Sequence, residues 1–311
     1  MNTIYSINKR NFEVQSSLDD ELFFATDKNY LFDLSYLSVI NVSGTMSDQF
    51  LQGQLTCDVR EINRQSMRPG LMCNLKGRIL VITDIINWQG FQLIVPQDLC
   101  ELTIHSLTKT AKFSNVTLHQ EHSYHLFGFY HQNVNDCLPF PMLLPEQRFS
   151  VVATDTYCCY ALGNNYYILL IDNQVSSQII NAFTEKGQLK TSLAWQYRQL
   201  QQQRFEIYPE SRGLFLPHRM NLHVSGHISF DKGCYKGQEI IARTHFLAKT
   251  KHKIIVIDIK SEKLLYSGMP ILDKNDHNQI GELIDYCPIG DQVYLIGASI
   301  LTSCRETDLC F

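Results

Sequence analysis

Short runs of alternating apolar and polar residues recur along most of the chain, separated by segments rich in Gly, Asn or Pro. Such alternation predicts strands that are buried on one face. Residues 67–75 and 79–87, joined by the turn Lys76-Gly77-Arg78, predict a β-hairpin. Residues 36–42 and 91–95 predict two further strands.

Helical spacing of apolar residues predicts three longer helices and two short ones. The longer helices cover residues 96–110, residues 174–186 and a segment capped by Thr191 or Ser192; the short ones cover residues 46–52 and a segment that begins after Gly237. Pro96 suits the first position of a helix, and Gly187 favours the end of one.

A hairpin followed by a helix occurs twice, in residues 67–110 and again in residues 149–186. This repetition predicts an α+β fold with an internally duplicated core of antiparallel sheets. The predicted core covers residues 1–250 and has two subdomains, roughly residues 1–140 plus part of 190–250, and residues 141–190 with their neighbours.

The C-terminal part of the chain has a different pattern. Three strand candidates, residues 254–259, 279–286 and 292–298, are punctuated by glycines and predict a small β-barrel domain over residues 251–311. The two ends carry weaker signals. Residues 1–34 show little periodicity, and the polar tail, residues 302–311, is predicted to be loose.

Composition narrows the classes of function. The 311 residues carry a net charge of −4, which argues against bulk electrostatic binding of nucleic acid or of an anionic membrane. The sequence has no apolar run of the roughly 18 residues that suggest a membrane span. Its first residues lack the basic region and apolar run of a signal peptide, so none is expected. Ten cysteines without a CxxC pair indicate mostly inert thiols in a reducing cytoplasm.

A cluster of histidines raises the hypothesis of a metal site. His119, His122, His125 and His131 lie within a predicted strand–turn–strand, but no nearby carboxylate or cysteine completes a ligand set. Alternation would point His119 and His122 to opposite faces of a strand. A solvated hairpin is therefore favoured over a metal site.

The segment 231–243 contains the chain's most distinctive chemistry. Gly233 and Gly237 allow tight turns, and Cys234 lies between them, directly before the start of a helix. Two interpretations are open. Cys234 is a buried apolar thiol, or it is a functional thiolate favoured by Lys232 and by the helix start.

Several nearby residues admit a purely structural role. Glu239 and Arg243 have the i, i+4 spacing of an ion pair on a helix, and Tyr235 and Gln238 flank its first turn. Trp195 lies on the predicted helix that follows Thr191. It either packs in the core or forms a flat aromatic wall for a planar ligand.

Residues 228–239, which read Ile-Ser-Phe-Asp-Lys-Gly-Cys-Tyr-Lys-Gly-Gln-Glu, closely resemble the signature of the YgfZ family, folate-binding relatives of the glycine-cleavage T-protein. Supporting matches are residues 50–59, the turn at residues 76–78 and Asn221-Leu222. The resemblance covers roughly residues 30–300. It implies three domains around a central channel that binds tetrahydrofolate or another reduced folate.

The resemblance also implies a biological role. Proteins similar to this family support iron–sulfur cluster assembly or repair in the cytoplasm, and thereby tRNA modification. The implied partners are a reduced folate and iron–sulfur assembly proteins or client enzymes, with no direct nucleic-acid or membrane contact. In this interpretation Cys234 and Lys232 carry the chemistry.

The resemblance also assigns folate-binding positions. Trp195 matches a tryptophan that contacts folate, and Leu37 matches an aromatic position in a relative, with Tyr36 next to it. The segment after Cys234 adds the remaining candidates. These cofactor-binding candidates are Tyr235, Gln238, Glu239 and Arg243.

Two departures from the T-protein pattern argue against its transfer reaction. Where T-proteins have a carboxylate that handles protonation of a folate nitrogen, this chain has Val81. The nearby Asp84 is predicted to lie on the opposite face of the strand from Val81. Gln201 stands where T-proteins carry Glu. We therefore expect a folate-binding accessory protein, and the alternative is a folate-dependent aminomethyl- or methyltransferase.

Overall fold

In the part of the chain that the structure describes, the strands form four sheets, and six α-helices pack against or between them. The computed structural model describes residues 3–136, 138, 142–247 and 251–310. The strands are β1 (Thr3–Ile7), β2 (Arg10–Val14), β3 (Tyr30–Asp33), β4 (Leu37–Ser43), β5 (Arg68–Cys73), β6 (Ile79–Asn87), β7 (Phe91–Pro96), β8 (Thr117–Glu121), β9 (Tyr124–Tyr130), β10 (Val151–Ala153), β11 (Tyr157–Gly163), β12 (Tyr166–Asp172), β13 (Leu189–Lys190), β14 (His252–Lys260), β15 (Pro270–Asp273), β16 (Gln279–Gly290), β17 (Val293–Leu301) and β18 (Leu309–Cys310). The helices are α1 (Leu18–Leu22), α2 (Ser47–Gln54), α3 (Gln97–Ala111), α4 (Asn173–Glu185), α5 (Ser192–Gln201) and α6 (Gln238–Leu247).

The first large sheet has the strand order β5-β6-β7-β4-β8. The predicted hairpin is its β5–β6 pair, which is antiparallel with Met72 opposite Val81. Helix α3 covers this sheet because its buried residues Leu99, Thr103 and Leu107 recur every four positions. The predicted strands and the helix after Pro96 are confirmed.

The second large sheet has the order β10-β11-β12-β9-β3-β13. Its meander β10-β11-β12 precedes α4, just as β5-β6-β7 precedes α3 in the first sheet. Ile179 and Phe183 of α4 are buried with the apolar residues of this sheet. The mixed α+β class is therefore confirmed, while the internal duplication stays a prediction.

The C-terminal strands form a separate five-stranded antiparallel sheet in the order β14-β17-β16-β15-β18. Register shifts along β16 accompany its curled, half-barrel shape. The three predicted strands are confirmed. The prediction of a loose tail is wrong for Leu309–Cys310, which pair with β15.

The prediction of a hairpin around the first histidines is also wrong. Strand β8 pairs with β4 in the first sheet, whereas β9 pairs with β3 and β12 in the second. The turn between β8 and β9 thus carries the chain from one sheet to the other. Residues 1–34, which lack a clear sequence pattern, contain the β1–β2 hairpin, α1 and β3.

A buried arginine joins distant parts of this fold. The Arg10 guanidinium donates to both carboxylate oxygens of Asp98 on α3, at 2.9 Å each. Its third nitrogen pairs with the carboxylate of Glu206, in the segment after α5. Its charge also lies 4.4 Å from the centre of the Tyr208 ring.

The segment after α5 is further held by Asp285 of β16, which is fully buried. Its carboxylate accepts hydrogen bonds from Gln196 Nε2 at 2.8 Å, from the Tyr208 hydroxyl at 2.8 Å and from the Glu206 amide at 2.9 Å. Burial raises the pKa of Asp285 to about 7. The C-terminal sheet is thus connected to α5 through polar contacts as well as apolar packing.

Replacing Arg10 with Ala leaves the carboxylates of Asp98 and Glu206 without their cation. We expect the free energy of unfolding to fall by about 3–5 kcal/mol, because a half-broken buried ion pair is strongly unfavourable. Urea denaturation of the two proteins measures the difference. The matched control is Lys9→Ala, which removes an exposed cation paired with Glu210 at 3.5 Å and should change the stability little. Equal losses in both variants would contradict the bridging role of Arg10.

Candidate functional site

A cavity of about 510 Å³ lies between the two large sheets. Strands β4 to β7 form one wall, β11 and β12 form another, and the end of α5 with the segment after it forms a third. Residues 220–227 close the remaining side in part. This volume is within the range of sites for drug-sized ligands.

Trp195 is both a core residue and a cavity residue. Its side chain is only 3% exposed and packs against Phe32, with ring centres 5.3 Å apart. Gly128 of β9 gives the indole its space, because a Cβ at that position would lie 2.4 Å from the ring. Trp195 also lines the cavity, so the two sequence-based interpretations are compatible.

The other predicted aromatic position is Leu37, which lines the cavity from β4 together with Tyr36. The Tyr36 hydroxyl donates to Glu206 Oε1 at 2.7 Å. Leu37 therefore supplies apolar surface, while Tyr36 and Glu206 supply an orientated polar pair on the same side of the cavity.

Asp84 is the second carboxylate of the cavity. It extends from β6 into the cavity, and the Tyr160 hydroxyl donates to its Oδ2 at 3.0 Å. Burial raises the pKa of Asp84 to about 6. Val81 on the same strand is buried in the core and does not line the cavity. Val81 and Asp84 lie on opposite faces of β6, as predicted. Asp84 is on the face that lines the cavity. The inference that the site lacks an acid or base is therefore corrected.

Two arginines line the same cavity. Arg204 donates to the Gln199 side chain at 3.1 Å and to the Leu162 carbonyl at 2.6 Å. Burial lowers the pKa of Arg204 to about 10. Arg148 lies over the Phe149 ring at 4.3 Å and donates to the Ser225 carbonyl at 2.8 Å. The cavity thus contains separate acidic and basic groups on an apolar background.

His227 and Gln201 lie on different sides of the cavity boundary. His227 lines the cavity, where burial lowers its pKa to about 3, so the imidazole is neutral at pH 7. Gln201 is exposed and accepts a hydrogen bond from Arg198 at 3.2 Å, outside the cavity. Glu206, five residues further along the chain, supplies a carboxylate to the cavity.

The signature segment lies beside the cavity and makes structural contacts. The buried Lys232 ammonium donates to the backbone carbonyls of Gln52, Leu55 and Cys57, at 2.7, 2.8 and 2.6 Å. Carbonyls at the end of a helix have no partner within that helix, so Lys232 completes the end of α2. Burial lowers the pKa of Lys232 to about 8.

Two glycines bring the signature against the β5–β6 hairpin. Gly237 has φ +87°, and a Cβ there would lie 2.5 Å from the Asn74 carbonyl oxygen. Gly77 at the hairpin tip has φ +68°, and a Cβ there would lie 3.1 Å from Ile241 and 3.2 Å from Ile240. The close approach of the two backbones requires glycine at both positions.

The comparisons with known proteins agree with this arrangement. The chain is 28% identical over 274 residues to the tRNA-modifying protein YgfZ of Colwellia psychrerythraea, which covers 82% of this chain and 78% of that protein. It is 28% identical over 242 residues to the protein of the same name from Klebsiella pneumoniae, covering 76% and 74%. The Blochmanniella pennsylvanica protein is 26% identical over 266 residues, covering 81% of both chains.

These similarities, over about three quarters or more of the chain, support the resemblance to the YgfZ family. No family model matches this sequence. Among solved structures, the glycine cleavage system aminomethyltransferase T from Bartonella henselae has a TM-score of 0.72 and 12% identity, covering 97% of this chain and 87% of that one. At this identity the likeness concerns the fold alone.

Within the YgfZ signature, the residues predicted to bind cofactor do not line the cavity. Tyr235 is buried in the core, and its backbone amide donates to Gln238 Oε1 at 3.4 Å. Glu239 and Arg243 form the expected i, i+4 pair at 3.7 Å on the exposed side of α6. These contacts fit the structural interpretation of the four residues, and their role in cofactor binding stays a prediction.

Cys234 is exposed and lies outside the cavity lining. The interpretation as a buried apolar thiol is therefore wrong. The ammonium of Lys232 is directed to the α2 carbonyls, so its observed contacts serve that helix. Cys234 is thus accessible at the surface of the YgfZ signature, separate from the ligand-sized cavity.

The histidines of the metal hypothesis lie apart from this site. His125 pairs with Asp33 at 3.0 Å and stacks on Phe127, with ring centres 4.3 Å apart. Across the described ranges, no three His, Cys, Asp or Glu side chains are grouped so that they could hold a metal ion. In the same ranges no helix is long and apolar enough to span a membrane.

Replacing Lys232 with Met keeps most of the side-chain volume and removes the three charged hydrogen bonds. We expect a loss of about 1–3 kcal/mol for each carbonyl left buried without a donor. Thermal and urea denaturation measure this loss. Lys236→Met, four residues away and only partly buried, is the matched control. A Lys232 variant as stable as the control would show that these contacts contribute nothing.

Proposed function

We propose that this protein binds a reduced folate, with tetrahydrofolate as the first candidate, in the cavity between the two large sheets, and that it supports tRNA modification. The observation that carries the proposal is the presence of Trp195 in a ligand-sized cavity that also holds two carboxylates. The fold likeness to an aminomethyltransferase T and the names of the YgfZ relatives support the same conclusion.

The chemistry of a reduced folate suits this lining. Its flat bicyclic ring offers an aromatic face to Trp195 and N–H donors to the carboxylates of Glu206 and Asp84. Its acidic tail would be attracted by Arg148 and Arg204. Leu37 and Ile94 add apolar surface along the first sheet. Each recognised part of the ligand therefore has a counterpart of suitable chemistry.

We further propose that the role in tRNA modification is indirect, through assembly or repair of iron–sulfur clusters in client enzymes. Cys234 supports this because an exposed thiol can contact a partner protein or a cluster. Among the cysteines in the described ranges, six are buried and two are half-buried, which leaves Cys234 as the exposed one. In this proposal the cavity binds the folate and Cys234 acts at the surface.

Folate binding is tested through the fluorescence of Trp195. Trp88 is first replaced with Phe, so that Trp195 is the sole tryptophan, and tetrahydrofolate is then added. We expect saturable quenching, because the ligand would lie against the indole. The further change Trp195→Leu should weaken binding by roughly two- to tenfold, measured by calorimetry, since a stacked aromatic contact is worth about 0.5–1.5 kcal/mol beyond its buried area.

Unchanged emission together with no heat of binding would contradict the folate proposal and favour a scaffold that only binds proteins. A circular dichroism spectrum of each variant serves as the folding control, because Trp195 also packs in the core.

The role of the thiol is tested with Cys234→Ser. We expect this variant to keep the fold and the affinity for tetrahydrofolate, since Cys234 is exposed and outside the cavity. We expect cells that carry it to lose activity of iron–sulfur enzymes and modified tRNA nucleosides, measured by enzyme assays and mass spectrometry. Cys304→Ser, at a half-buried cysteine in the C-terminal part, is the control. Normal nucleoside levels in the Cys234 variant would rule out an essential thiol.

A further inference from the structure

One wall of the cavity contains a short stretch of chain with little support. Residues 224–226, which belong to neither a helix nor a strand, form a flap beside the cavity. Val224 lines the cavity, yet 72% of its side chain is exposed, and Gly226 is exposed as well. A segment with few buried contacts needs little free energy to move, so this flap is suited to opening.

The flap is fixed at both ends. Before it, the His223 ring stacks on His218, with ring centres 4.5 Å apart. After it, the Thr56 hydroxyl donates to the His227 carbonyl at 2.6 Å. Gly226, with φ +91°, supplies a bend that other residues rarely adopt. Movement is therefore confined to the three residues of the flap, and the signature that follows keeps its place.

Arg148 holds the flap from the other side of the cavity mouth. Its guanidinium donates to the Ser225 carbonyl at 2.8 Å. Among the described residues, this is the one hydrogen bond that joins residues 142–172 to the flap. The stem of Arg148 lies against Gly163, where a Cβ would come within 3.2 Å of the Arg148 Cδ. The lack of a side chain at Gly163 therefore lets Arg148 reach across to Ser225.

Phe149 holds the flap through packing. Its ring lies against Gly226, where a Cβ would come within 2.9 Å of it, and the Arg148 guanidinium lies 4.3 Å from the ring centre. The backbone of Phe149 has φ +69°, a left-handed conformation that is unfavourable for a bulky residue. Its amide donates to the Ala161 carbonyl at 2.8 Å, and its carbonyl accepts from the Met67 amide at 2.9 Å. Strain that is maintained in this way beside a cavity indicates a function for the ring there.

We propose that residues 224–226 are a gate at the cavity mouth, which Arg148 and Phe149 hold closed and which opens to admit and to release the ligand. This inference rests on the proposed function, because a reduced folate is the ligand that would pass. Opening breaks the Arg148–Ser225 hydrogen bond and separates Gly226 from the Phe149 ring. The core contacts of both sheets stay intact. A gate of this kind acts on the rates of binding and release rather than on affinity.

The first test uses Gly226→Ala, which adds a Cβ against the Phe149 ring and strains the bend, and so loosens the closed flap without removing a charge. Stopped-flow fluorescence of Trp195, in protein that carries Trp88→Phe, measures association and dissociation of tetrahydrofolate. We expect both rates to rise by about two- to tenfold, the size of one lost contact of hydrogen-bond strength. The dissociation constant should change by less than about twofold, since both rates rise together.

Arg148→Gln loosens the flap by removing the charged donor. We expect both rates to rise in this variant too, and the dissociation rate to rise further, because Arg148 also attracts the acidic tail of the ligand. The matched control is Arg64→Gln, at an exposed arginine outside the cavity lining, which should leave both rates unchanged.

Opening of the flap is also measured without a ligand. A nitroxide is attached to Val224→Cys in protein that carries Cys234→Ser, and its mobility is measured by electron paramagnetic resonance. We expect the label to become more mobile when Gly226→Ala or Arg148→Gln is added, because each change weakens the closed state.

The outcomes separate this inference from the proposed function. Unchanged rates or unchanged label mobility in Gly226→Ala would overturn the gate and leave folate binding intact. Faster dissociation in Arg148→Gln alone would show that Arg148 is only a ligand contact, which also overturns the gate. An absence of tetrahydrofolate binding in every protein would overturn the folate proposal, and the label mobility would then decide whether the flap opens.

Discussion

The placement of the buried Arg10 charge is the constraint on which the arrangement of the cavity depends. A guanidinium that is removed from water requires compensating carboxylates. Arg10 pairs with Asp98 on α3 and with Glu206 in the segment after α5. Glu206 is thereby held where its second oxygen accepts the Tyr36 hydroxyl beside the cavity. The N-terminal hairpin, which lies far from the cavity in sequence, thus fixes one of the cavity's polar groups.

The YgfZ signature acts as a second constraint, and its contacts explain why distant motifs occur together. Lys232 binds the carbonyls of residues 52–57, which belong to the N-terminal motif. The backbone of Gly237 packs closely against the turn at residues 74–77. Motifs that are separated by roughly 160 to 180 residues in sequence are therefore parts of one packed junction. This packing accounts for most of the residue types in the signature. Cys234 is the exception, because its side chain is exposed.

The sequence was most informative where structure is determined locally. The β5–β6 hairpin follows from alternation and a Lys-Gly-Arg turn, and the Glu239–Arg243 pair follows from helical spacing. The cavity could not be deduced in this way. Alternation placed Val81 and Asp84 on opposite faces of β6, but which face meets the cavity depends on the second sheet, which contributes Tyr160. Glu206 had no local signal, because its partner Arg10 is 196 residues away.

The cavity and the exposed thiol are connected by one continuous segment of chain. Residues 220–227 line the cavity in part. The next ten residues contain Lys232, which binds the end of α2, then the exposed Cys234, then Gly237, which contacts the hairpin. The Thr56 hydroxyl donates to the His227 carbonyl at 2.6 Å, and the Ser229 amide donates to the Thr56 carbonyl at 2.9 Å. This segment therefore connects the cavity lining to Cys234 along the chain, and the β5–β6 hairpin, which lines the cavity and contacts Gly237, provides a second connection.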